Sequence, residues 1–88
     1  MIRIERIDDE TFRVTVTGRV TTQHEVSLSS AYCERLTGGR VSPEILIERS
    51  FEFLLERESN RSILSRFDLA VIGRYFPEYE TAIRERLA

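Results

Sequence analysis

The stretch from Ser42 to Glu58, SPEILIERSFEFLLERE, limits the fold more than any other part of the chain. Serine, proline and glutamate open it: an oxygen to cap the first free amides, a ring already set at helical φ, and an acid at the positive end of the helix dipole. Its apolar residues Ile45, Leu46, Ile47, Phe51, Phe53, Leu54 and Leu55 spread over more than the roughly 100° arc needed to face one surface. A helix from Pro43 to about Arg57 must therefore be covered on more than one side. Ile47, Phe51, Phe53 and Leu54 are expected in a core or a subunit interface. The remaining face carries Glu44, Glu48, Glu52 and Glu56, four apart, and such like charges repel by about a few tenths of a kcal/mol per adjacent pair unless offset.

What could cover this helix is written in the first 28 residues. Ile2 and Ile4 alternate with Arg3 and Glu5, and Phe12, Val14 and Val16 alternate with Arg13, Thr15 and Thr17, the period of half-buried strands. Asp8 and Asp9 between them supply turn chemistry, which predicts a hairpin. After a bend permitted by Gly18, the even parity resumes through Val20, Thr22, His24, Val26 and Leu28, a third antiparallel strand.

The rest reads as helices. Ser29 or Ser30 caps a short one from Ala31 to Leu36, which Gly38 and Gly39 end. Beyond Ser42–Glu58, the turn-forming residues at 58–62 break the chain, and a short helix is expected over Ile63 to Phe67. Asp68 caps a further piece in which Leu69, Ile72, Tyr75 and Phe76 are placed to pack. Pro77 interrupts it, and Tyr79, Ile83 and Leu87 recur four apart on a terminal amphipathic helix. The expectation is a single α+β domain over 1–88, with an N-terminal antiparallel β-meander of about three strands (1–28) packed on a C-terminal set of three to four helices (29–88).

A chain of 88 residues buries only about 60–65% of its unfolded surface, and the lone Cys33 forms no internal disulfide, so self-association is a natural source of added stability. The opening MIRIERIDDE carries acids and no continuous apolar block, so neither a secretory leader nor a membrane span is expected, and the default location is the cytoplasm of a bacterial-style cell. Net charge is −2, which gives no global field to attract a polyanion. All 13 basic residues are arginines; these could form anion-binding forks, but a codon bias of the genome toward arginine is the favoured account.

No residue set reaches a catalytic or metal-binding pattern, and no cofactor is expected. His24, the sole histidine, has inward parity and reads as a buried residue at a sheet edge, satisfied by one backbone partner. Cys33 reads as a small core residue, since no oxyanion donors or orienting group accompany it. The glutamate row spans about 18 Å of helix and does not converge on one ion. It reads as a solvated face or as a docking strip for arginines from another segment. Gly38, Gly39 and Arg40 lack the lysine, hydroxyl and strand of a phosphate loop. Phe67, Tyr75, Phe76 and Tyr79 sit at helical spacing, as core aromatics do.

The run from His24 to Glu58, HEVSLSSAYCERLTGGRVSPEILIERSFEFLLERE, resembles the ribbon-helix-helix repressors in its order of short strand, short helix, glycine turn and serine-capped helix. That resemblance implies a dimer whose paired strands enter the major groove, with Gln23, Glu25 and Ser27 facing bases and Ser42 capping a phosphate-binding helix end. The segments SFEFLLERESNRSILSRFDL and RYFPEYE also resemble small bacterial proteins of no assigned function, which implies a shared compact helical region and no activity. The leading expectation is a non-catalytic interaction or accessory module that pairs with itself or with another protein. The alternative is a DNA-binding regulator, which the net charge disfavours.

Overall fold

In a computed structural model describing all residues 1–88, the N-terminal part forms β1 (Ile2–Asp8), β2 (Thr11–Val16) and β3 (Thr22–Ser27), each antiparallel to the next. The hairpin closes where the Asp8 carboxylate accepts the Glu10 amide at 3.0 Å, and that bond holds the Asp8 carboxyl below its ordinary pKa. Phe12, Val14, Val16, His24 and Val26 point inward and are buried, whereas Arg13, Gln23 and Glu25 face solvent. The sheet thus has one wet face and one dry face. The third strand begins at Thr22, and Val20 is left exposed ahead of it.

Two helices follow: α1 (Ser30–Thr37), capped by Ser29, and α2 (Pro43–Leu55), capped by Ser42. Gly38 closes α1 in the left-handed conformation at φ 64°, where a side chain would be strained. From α2, Leu46, Ile47, Ser50, Phe51, Phe53 and Leu54 are buried. Phe51 lies 5.5 Å from the His24 ring of β3, so one side of α2 packs on the sheet.

Residues 66–68 overturn the expected division into a three-stranded meander and a purely helical remainder. Arg66–Asp68 form β4, which pairs parallel to β3 and makes a four-stranded mixed sheet of order β1-β2-β3-β4. The short helix expected over Ile63 to Phe67 is absent. Its place is taken by a 3₁₀ turn at Asn60–Ser62 and extended chain, because the outer edge of β3 offers main-chain groups that no local helix could satisfy. The Glu25 amide donates to the Ser65 carbonyl at 2.8 Å, and Phe67 turns inward against Phe51 at 6.0 Å.

After β4, Asp68 caps a 3₁₀ turn at Leu69–Val71, which runs into a single α-turn, α3 (Ile72–Tyr75). Leu69 and Ile72 are buried as the spacing predicts, but Tyr75 is 66% exposed and does not join the core. Past Pro77, α4 (Tyr79–Leu87) buries Tyr79 and Ile83. Phe53 meets Tyr79 at 5.4 Å and Phe76 at 5.9 Å, so α4 and its approach cover the second side of α2. No helix is long and apolar enough to cross a membrane.

Candidate interaction surface

The sheet has two edges, and they are not alike. The outer edge of β4 is three residues long, and short edges offer little for another chain to pair with. The outer edge of β1 is seven residues long. Met1 and Thr17 exchange both main-chain bonds, at 2.8 and 3.0 Å, which fixes the phase of the β1–β2 ladder. Arg3 opposite Thr15 and Glu5 opposite Arg13 therefore bond to β2, and the N–H and C=O groups of Ile2, Ile4 and Arg6 point away from the sheet.

Both faces of this edge carry features that continue beyond it. On the wet face a row of alternating charge crosses all four strands. Arg66 lies 3.3 Å from Glu25, Glu25 stands opposite Arg13, and Arg13 lies 3.8 Å from Glu5 on β1. The row ends at the edge on an acid. On the dry face, Ile2 and Ile4 are only half-buried and Ile45 of α2 is 39% exposed. With Glu44 and Glu48 they bound a shallow recess of about 150 Å³. Arg6 reaches Glu44 at 3.6 Å and lies 5.2 Å from the Phe12 ring centroid.

A second recess, of about 140 Å³, opens between the end of α2 and the chain around β4 and α3, lined by Leu54, Ile63, Phe67, Ile72 and Phe76. It is the more enclosed of the two and mostly apolar. Leu64 and Tyr75, both exposed, also line it.

The residues singled out in the sequence are placed as follows. His24 is buried on β3, now an interior strand rather than an edge. Its Nδ1 donates to the Leu64 carbonyl at 2.7 Å, because a carbonyl can only accept, and its Nε2 accepts from the Thr22 hydroxyl at 2.9 Å. Thr22 in turn accepts from the Asn60 side chain at 3.1 Å, so both ring nitrogens are engaged in joining the sheet to the loop before β4. Cys33 is buried on α1, and burial pushes its thiol above the ordinary pKa, away from a reactive thiolate.

The glutamate row is neutralised piecewise. Glu44 meets Arg6, Glu48 and Glu52 share Arg49 at 3.1 and 3.2 Å, and Glu56 meets Arg57 and Arg86. These arginines come from β1, from α2 and its C-terminal end, and from α4, so the row binds the fold together. Nowhere do three His, Cys, Asp or Glu side chains gather as a metal site would need.

Gln23, Glu25 and Ser27 share the wet face of β3, a strand with a bonded neighbour on each side. Ser27 donates to the Asp68 carboxylate at 2.9 Å, and Ser42 accepts the Ile45 amide at 3.3 Å as the α2 cap. Ile47, Phe51, Phe53 and Leu54 all lie in the core of the single chain.

The β1 edge was missed as a site. The alternation of Arg3 and Glu5 was visible, but it acquires meaning only once β1 is known to be an outer strand. Comparison with protein-family models, with curated proteins and with solved structures finds no match.

Proposed function

We propose that this protein is a small non-catalytic interaction module that works by accepting an extended strand along the open edge of β1. The observation that carries this reading is the combination of outward main-chain groups at Ile2, Ile4 and Arg6 with a half-covered apolar strip beside them. Hydrogen bonds to the main chain supply attachment, and Ile2, Ile4 and Ile45 supply apolar area that an added strand would remove from water. Of the two side chains weighed as a nucleophile and base, His24 has both ring nitrogens bonded, and burial pushes the Cys33 thiol above its ordinary pKa.

The DNA-binding alternative draws less support. Its reading strand needs a free edge to pair across a two-fold axis, and on β3 that edge is taken by β4 over Glu25–Ser27. A duplex binder also needs a clustered basic face, whereas the wet face of this sheet alternates acid and base.

Nuclear magnetic resonance with a synthetic peptide of residues 1–8 tests strand acceptance. Addition of the peptide to dilute protein should shift the amide signals of Ile2, Ile4 and Arg6 and slow their exchange, while the variant Ile4→Pro, which deletes an outward N–H that β2 does not use, should not respond. Absence of any shift along β1 at large peptide excess would end this reading.

A further inference from the structure

We infer that the strand accepted by β1 is the β1 of a second copy, paired antiparallel about a two-fold axis through Ile4; this rests on β1 being the interaction edge. The phase of the ladder limits the possibilities. Only even-numbered residues offer outward groups, so two β1 strands can pair through hydrogen bonds only with even facing even. Three central registers satisfy this.

The first places Arg3 directly opposite Arg3 of the other copy. The second places Glu5 opposite Glu5. Like charges directly opposite each other are destabilising. The third sets Ile4 opposite Ile4 and Ile2 opposite Arg6, and brings each Arg3 opposite a Glu5 of the other chain. Charge therefore selects one register out of three.

That register also continues what each copy leaves unfinished. On the wet face, the row Arg66, Glu25, Arg13, Glu5 ends on an acid, and Arg3 of the second copy extends the alternation across the axis. Arg3 makes no ion pair within its own chain, where nine others are formed. On the dry face, the two Ile4 side chains meet on the axis. Arg6 of the second copy falls beside Ile2, at the recess that Glu44 and Glu48 rim. Both α2 helices then lie on the same side of one continuous eight-stranded sheet, and the edge that each monomer exposes is removed.

Analytical ultracentrifugation decides it. The wild-type chain should sediment at twice its 10.3 kDa mass at high concentration. Arg3→Glu, which disturbs no pair inside the chain, should weaken association by about tenfold or more, since two attractive pairs become repulsive. Glu5→Arg should do the same, and mixing the two variants should restore a dimer, because each then supplies what the other lacks. Circular dichroism confirms that each variant is folded, and Arg3→Glu alone suffices if Glu5→Arg is not.

A wild-type chain that stays monomeric while the peptide of residues 1–8 binds along β1 would overturn the second copy as partner and leave the strand-accepting edge standing. A monomer that also ignores the peptide would remove both. A dimer whose mass is unchanged by Arg3→Glu would overturn the register and place the contact elsewhere.

Discussion

Individual side chains here act mainly as ties between segments far apart in sequence. His24 is the clearest, since one imidazole joins β3 to the carbonyl of Leu64 and, through Thr22, to Asn60. Replacing it by alanine leaves that carbonyl without its donor and opens a void beside Phe51. The expected cost is about 2–4 kcal/mol, read as a lower urea midpoint with an unchanged slope.

Tyr79 is a second tie. Ser50 donates to the Leu46 carbonyl at 2.7 Å, so the Tyr79 hydroxyl must be the donor in its 2.6 Å bond to Ser50. Burial raises the Tyr79 pKa, in keeping with a phenol that stays protonated. Tyr79→Phe should cost about 1 kcal/mol in the same measurement.

At the surface, the hydrogen bond from Arg86 lowers the Glu56 pKa below its ordinary 4.5. A folded-state value below the unfolded one stabilises above that unfolded value and is lost as pH falls through the folded one. The drop in melting temperature caused by Arg86→Gln should therefore be present at neutral pH and disappear in strong acid.

Among the elements, α2 decides the architecture. Its surplus of apolar residues is absorbed by the sheet on one side, through Phe51, and by α4 and the segment before it on the other, through Phe53. Phe53→Glu would bury a charge where Phe76 and Tyr79 now pack, so loss of the folded signal in circular dichroism is expected, rather than release of an intact monomer. Phe53→Ala should cost about 3–5 kcal/mol.

This helix and the hairpin were legible because each repeats its signal over several residues: a cap with its proline, or an unbroken alternation. β4 was not. Its three residues, Arg66, Phe67 and Asp68, contain one apolar side chain, too few to show a period, and they are extended because β3 needs a partner. The same dependence on distant chain explains Tyr75, whose spacing suits packing but whose one-turn helix turns it to solvent. Of the candidate surface, the residues were readable and the edge was not, since strand order is a property of the assembled sheet.

At the scale of the whole molecule, the chain has a radius of gyration of 12.0 Å, about that of a folded single domain of this length. Its helices cover the dry face, with α2 lying against β1, but leave Ile2, Ile4 and Ile45 partly open. The wet face carries charges that balance across strands and leave Glu5 and Arg3 at the margin. A free seven-residue edge is a liability that folded proteins usually blunt, and pairing with a second copy removes it.

Hydrogen exchange at the amide of Ile4, followed as a function of protein concentration, tests this account most directly. That N–H has no partner within the chain, so it should exchange rapidly in dilute protein and become protected as concentration rises, in step with the outward amides of Ile2 and Arg6. Rapid exchange at Ile4 at every concentration, beside protected amides at Arg3 and Glu5, would contradict it.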